Sequence, residues 1–180
     1  MINMDRIYLV TDLPGYTPQI SRLLSMMNYT RFTVTAEVQD LTVEQLDFQL
    51  DEKSNSIGAL LSHMAAVEYF YQVYTFEQRK ELTEEEIKRW EPALNLGEDG
   101  REHIKGYDVH FYLRQLEEVR ARTFELFKTV DDDWLAIQKP FWYGKEANHY
   151  FMWFHVVEDE LNHRGQIRMT KKRAIAIAER

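Results

Sequence analysis

The chain has 180 residues, 44% hydrophobic and 29% charged, which suits one globular domain with a core of its own. Thirty acidic against 22 basic residues leave a formal charge of −8, which argues against non-specific binding to nucleic acid or anionic membranes. There is no cysteine, so disulfides and protein thiol nucleophiles are excluded, and any thiol chemistry needs a thiol brought in from outside.

The opening stretch MINMDRIYLVTD is too short and too acidic for a signal peptide. No apolar run reaches the ~20 residues that span a bilayer. These features predict a cytoplasmic protein that does not engage membranes. Only 7 glycines and 4 prolines punctuate the chain, which favours long helices over many short strands.

Four long helical patterns follow one another. The first runs from about Thr17 to Val38, with Pro18 in its first turn and Ile20, Leu23, Leu24, Met27 and Val34 on one stripe. Thr42 to Glu44 reads as a short capped turn. The second helix opens at Ser54-Asn55-Ser56, a run of good N-caps, and reaches about Phe76. Leu60, His63, Val67, Phe70 and Tyr74 line one of its faces, so His63 stands where an apolar residue belongs.

Lys80 to Asp108 form a long connection, and Thr83-Glu84-Glu85-Glu86 fits a capping box that starts a short helix within it. A connection of this length can cross a bundle from end to end, so the second and third helices can run parallel. The third helix is expected from about Val109 to Thr129, with Val109, Leu113, Leu116, Phe124 and Phe127 inward. Asp131-Asp132-Asp133 reads as a solvated cap, and Trp134 to Lys145 as a loop rich in aromatics. The fourth helix starts near Asn148 and reaches the 170s. Gly165 lies in its C-terminal half, where the missing Cβ allows a close helix contact or ligand approach. Lys171-Lys172-Arg173 suits the negative end of its dipole.

The informative feature lies on the fourth helix. Met152, Val156, Asp159, His163 and Ile167 recur at helical steps, so two polar residues interrupt a stripe that should face the core. A buried polar group needs a partner. Residues four apart are neighbours on a helix, so Asp159 and His163 can reach one ion together. His63 would join them from a facing helix and complete a 2-His-1-carboxylate set. Zn²⁺, Ni²⁺, Fe²⁺ and Mn²⁺ accept such donors, and three protein ligands leave positions open for water or substrate. An ordinary helix ion pair, worth ~0.3–0.5 kcal/mol, gives the same local sequence. The stripe position of both residues and the matching position of His63 favour the ion.

His155 lies one turn before Asp159 but beside the stripe, so it reads as a residue behind the ligands or on the pocket wall. His103, His110 and His149 read as surface histidines, Glu68 as a salt-bridge partner, and Glu158 and Glu160 as solvated. The chain carries 10 Tyr, 10 Phe and 4 Trp. Most belong to the core by default. Trp142, Tyr143 and Trp153 are candidates for the walls of an apolar pocket around the ion, or for a dimer face.

SIGALLSHMAAVEYF on the second helix and HVVEDELNHRGQI on the fourth resemble the DinB/YfiT-like superfamily of bacterial metal-binding four-helix bundles. NLG at residues 95–97 is similar to part of that family's long connection. The resemblance implies an all-α, up-down-down-up four-helix bundle with the long connection between helices two and three, here one domain over residues 1–180. It implies metal ligands at His63 and at His163, the histidine directly before Arg-Gly-Gln. Many members have a third histidine where this chain has Asp159. A carboxylate at that position is similar to the thiol-dependent branch, which includes mycothiol-dependent maleylpyruvate isomerase. The resemblance further implies a homodimer, a small-molecule substrate, and a low-molecular-weight thiol whose sulfur the metal would bind as thiolate.

The expected function is thus a divalent-metal-dependent enzyme that activates a thiol, as an S-transferase, or a water, as a hydrolase. No catalytic side chain is assigned beyond the ligands. The competing expectation is a non-catalytic stress-response or interaction bundle whose polar core residues pair with one another.

Overall fold

A computed structural model describes residues 4–178, which are mostly helical. Helix α1 (Pro18–Val38) has Pro18 in its first turn, where a missing N–H costs nothing. Its remaining free amides are satisfied from across the fold: Gln19 and Ile20 N–H both donate to Asp132, as does the Thr17 hydroxyl. The aspartate run expected to be solvated therefore includes a residue that caps α1. Helix α2 (Val43–Asp47) starts on a full capping box of Thr42 and Gln45. Helix α3 (Ile57–Tyr71) is capped by the Ser56 hydroxyl and runs on into a π-helical turn over Gln72–Phe76.

The long connection contains two helices rather than one. Helix α4 (Glu84–Asn95) begins at the expected Thr83–Glu86 capping box, and α5 (Gly97–His103) follows after a sharp break. Helix α6 (Val109–Phe127) is capped by Asp108 and α7 (Asp132–Leu135) by Asp131. The segment after α7 was expected as loop but forms an antiparallel hairpin, β1 (Gln138–Pro140) and β2 (Glu146–Asn148), in register Gln138↔Asn148. Strands of three residues are too short to show an alternating pattern. Tyr143 and Gly144 close the hairpin in successive left-handed conformations, φ 56° and 67°. Helix α8 (His149–Ala178) has 30 residues and is the longest element.

Helix α1 packs along α8, and α3 packs on α6, α8 and α4. Two apolar clusters result. One joins Val34, Leu60, Met64, Leu116 and Ile167, and the other Ile20, Leu24, Met27, Phe127, Met152 and Trp153. Between them lies a buried charged network with one member on each of α1, α3, α6 and α8. Glu68 accepts from Arg120 Nε at 2.7 Å, from Arg31 at 2.9 Å and from the Thr123 hydroxyl at 2.6 Å. Glu160 accepts from Arg31 Nε and Arg120 Nη2, each at 2.9 Å. The guanidinium groups also donate to the carbonyls of Leu116 and Met27. Two arginines and two glutamates cancel in charge, and so many charge-assisted bonds offset much of the desolvation cost. Glu68 is thus the expected salt-bridge partner, whereas Glu160, expected to be solvated, is buried.

His149 also departs from expectation. It is 0% exposed because the hairpin folds over the start of α8: its N–H donates to the Ile137 carbonyl and its ring packs on Trp134 at 4.2 Å. The close helix contact expected at Gly165 is absent, since a Cβ there would meet nothing within 4 Å. It occurs instead at Gly58, where a Cβ would lie 2.4 Å from the Tyr112 hydroxyl.

Candidate metal centre

The contact of α3 with α8 brings His63 against Asp159 and His163. Asp159 Oδ1 stands 3.2 Å from His163 Nε2 and 3.6 Å from His63 Nε2. The two imidazoles meet edge to face, centroids 4.9 Å apart. Ligating atoms from all three residues lie within 4.8 Å of one another. All three side chains are mostly buried but keep a path to solvent, at 13–14% exposure.

The outer nitrogens of both rings are committed. His63 Nδ1 is 2.8 Å from the Ala93 carbonyl. A carbonyl only accepts, so Nδ1 carries the hydrogen and Nε2 presents its lone pair. His163 Nδ1 is 2.9 Å from Gln166 Oε1, one turn along α8, with the same consequence. Asp159 Oδ2 is buried without a hydrogen-bond partner among the described residues. With both rings neutral, two imidazole lone pairs and a carboxylate converge, an arrangement that a metal ion relieves; without one, a proton on His163 Nε2 relieves it as a hydrogen bond donated to Asp159. Burial alone would raise the Asp159 carboxyl, but hydrogen bonds to His163 and His63 outweigh it and hold the group well below the usual carboxylate range. Burial likewise opposes charging of His163, but the hydrogen bond and charge of Asp159 leave its pKa raised. The N,N,O donor set fits borderline divalent ions, and three ligands leave coordination positions free.

The other expected site residues are distributed differently. His155 does not converge with the three. Its Nδ1 pairs with Glu158 at 3.0 Å, and its ring lies between Tyr71, 6.0 Å away, and Trp142, 4.8 Å away. Trp142 is half exposed on the hairpin and also lines an open groove of about 500 Å³ with Phe141 and Phe151. Tyr143, 96% exposed at the hairpin tip, lines that same open groove. Trp153, expected at the pocket, is a core residue: it packs on Phe76 and Phe127, and its indole N–H donates to Thr75.

Three contributors were not singled out from the sequence. Gln166 was recoverable, three residues after His163 on one helix face. The Ala93 carbonyl was not, because no side chain marks it. Tyr71 is buried near Asp159. Burial, then the charge of Asp159, then Tyr74, push its phenol far above the ordinary range, so it stays protonated.

The fold recurs in a crystal structure described as the conserved protein of locus from Enterococcus faecalis. It is similar at a TM-score of 0.68 and 13% identity, over 86% of this chain and 95% of that one. No match is found among curated proteins. The profile of the mycothiol-S-transferase family matches residues 22–174, a span that includes most of α1, most of α8 and all three converging residues; the chain therefore belongs to the mycothiol-S-transferase family.

Proposed function

We propose that this protein is a divalent-metal-dependent S-transferase, with the ion held by His63, Asp159 and His163 and a low-molecular-weight thiol as one substrate. The observation that carries the reading is the convergence of three ligating atoms whose hydrogen-bonding partners on the far side are already fixed. When bound, the ion would favour the thiolate form of the thiol, which is the nucleophile. Zn²⁺, Ni²⁺, Fe²⁺ and Mn²⁺ all suit the donors.

The chain's own residues supply the rest. Ala93 and Gln166 hold the two rings in the tautomer that presents Nε2. Asp159, kept ionised, contributes one negative charge and so lowers the net charge of a bound divalent ion. The Tyr71 phenol, kept protonated, is available to donate a hydrogen bond at the site. The same ligand set could activate water, but the family favours thiol transfer over hydrolysis.

The competing reading is a non-catalytic bundle in which the three residues satisfy one another. It leaves Asp159 Oδ2 buried and unpaired, a cost of about 1–3 kcal/mol. Metal analysis of untagged protein purified without added metal separates the two. Stoichiometric metal is expected. A content near zero that persists after addition of Zn²⁺, Ni²⁺ or Mn²⁺ overturns the proposal.

The wider reading follows the same family. An up-down-down-up four-helix bundle of α1, α3, α6 and α8 as one domain is supported by their mutual packing and by a connection long enough to cross the bundle. Exposed aromatics on the hairpin support a homodimer, which light scattering tests. Among the described residues no helix is long and apolar enough to cross a membrane, and a cytoplasmic location with a small-molecule substrate completes the proposal.

A further inference from the structure

The junction between α4 and α5 is built in an unusual way. In a continued helix the Ala93 carbonyl would accept the N–H of Gly97, four residues on. The helix instead stops at Leu96, a non-glycine residue at φ 53°, and Gly97 follows at φ 58°. Leucine in that region is strained, and such strain persists only where surrounding contacts enforce it. Leu96 N–H bonds back to the Pro92 carbonyl at 3.2 Å. The Gly97 N–H is turned away and donates to Asn55 Oδ1 at 3.0 Å. The Ala93 carbonyl is thereby left without its helical donor, and His63 Nδ1 takes that place at 2.8 Å.

Asn55 and His63 belong to the same stretch of chain. Asn55 lies just before the Ser56 cap of α3, and His63 lies about two turns into that helix. The one segment is thus fastened twice to one junction. The first fastening, at Asn55, creates the vacancy that the second, at His63, fills. We propose that Asn55 is a positioning residue for the metal centre: by holding the Gly97 amide, it keeps the Ala93 carbonyl free to lock His63 in the tautomer whose Nε2 faces Asp159. The inference rests on the proposed metal reading for its purpose, but not for its test.

With Asn55→Ala the Gly97 amide loses its acceptor and is free to return to Ala93, which then competes with His63 Nδ1. Nitrogen NMR of the histidine rings in the metal-free protein reads this directly. The expected result is a single Nδ1–H tautomer for His63 in the natural protein and a mixture of tautomers in Asn55→Ala. In Asn55→Asp, which keeps an oxygen acceptor in place, the single tautomer should return. Zn²⁺ affinity should follow, weaker by 10–100-fold in Asn55→Ala and largely restored in Asn55→Asp, as for other residues that orient a ligand.

Thr83→Ala, which breaks the capping box at the far end of α4, controls for general loosening. It should lower Tm and leave the His63 tautomer unchanged. A tautomer that stays single in folded Asn55→Ala overturns the proposal, as does an equal shift in Thr83→Ala. Should Asn55→Ala fail to fold, Asn55→Ser, whose shorter side chain withdraws the acceptor from Gly97, answers the same question. If no variant and not even the natural protein binds Zn²⁺, Ni²⁺ or Mn²⁺, the metal reading fails while the tautomer result still decides the role of Asn55.

Discussion

Asp159 presents one oxygen to His163 Nε2 at 3.2 Å and leaves the other buried and unpaired. That asymmetry leaves the carboxylate with an oxygen that only an added cation can satisfy. Asp159→Asn is nearly isosteric but removes the charge and replaces one acceptor oxygen by a donor NH₂. Metal affinity should fall by at least 10–100-fold, while far-UV circular dichroism stays unchanged. An Asp159→Asn variant that holds metal as tightly as the natural protein would remove Asp159 from the ligand set.

His163 and His155 should separate cleanly. His163→Ala removes a converging nitrogen and should abolish stoichiometric metal. His155→Ala removes a ring that packs between Tyr71 and Trp142 and pairs with Glu158, and should leave most of the metal in place. Equal metal loss in both would place His155 among the ligands.

The buried network predicts large costs for half-removal. In Glu68→Gln, the guanidinium groups of Arg31 and Arg120 keep their burial but lose a compensating charge. A loss of about 3–5 kcal/mol in unfolding free energy is expected, as when one partner of a buried pair is taken away. Urea titration measures it. A change below about 1 kcal/mol, the value of an exposed pair, would show that the network adds little.

The packing of Tyr112 on Gly58 gives a further test. Gly58→Ala places a methyl 2.4 Å from the hydroxyl and 2.6 Å from Cζ, so overpacking should cost about 1–3 kcal/mol. Tyr112→Phe alone should cost little, because the buried hydroxyl makes no hydrogen bond. Combined with Gly58→Ala it should recover part of the loss. Simple additivity of the two changes would contradict the contact.

His149 makes stability depend on pH. Burial, then the nearby Lys139, lower its pKa to about 4, against an opposing contribution from the Trp134 backbone. Above pH ~6.5 the ring is neutral in both folded and unfolded chains and costs nothing. As pH falls from ~6.5 towards 4, the unfolded chain takes up a proton that the folded one refuses, so stability declines through that window, by up to about 3 kcal/mol. His149→Phe should flatten that part of a Tm-against-pH curve. An unchanged slope would show that other groups cause it.

Much of this was legible from residues alone. The stripes of α1, α3, α6 and α8 repeat at helical spacing over several turns, and the capping boxes at Thr42 and Thr83 mark the starts of α2 and α4 locally. Asp159 and His163 could be paired because a helix fixes which residues share a face, and His63 stood out as a polar residue on a second stripe. Those are local properties of the chain, and the sequence determined them by itself. Only the tertiary structure decided the rest. Glu160 has the local setting of a surface residue, yet it is buried because arginines from two other helices meet it. His149 is sealed by a hairpin too short to read as strands. The Ala93 carbonyl carries no side-chain signature, and it becomes a partner of His63 only because Asn55, 42 residues before Gly97, takes the amide that would otherwise have closed the helix. Spacing along one helix is set by backbone geometry, but which groups from separate elements meet is set by how those elements pack.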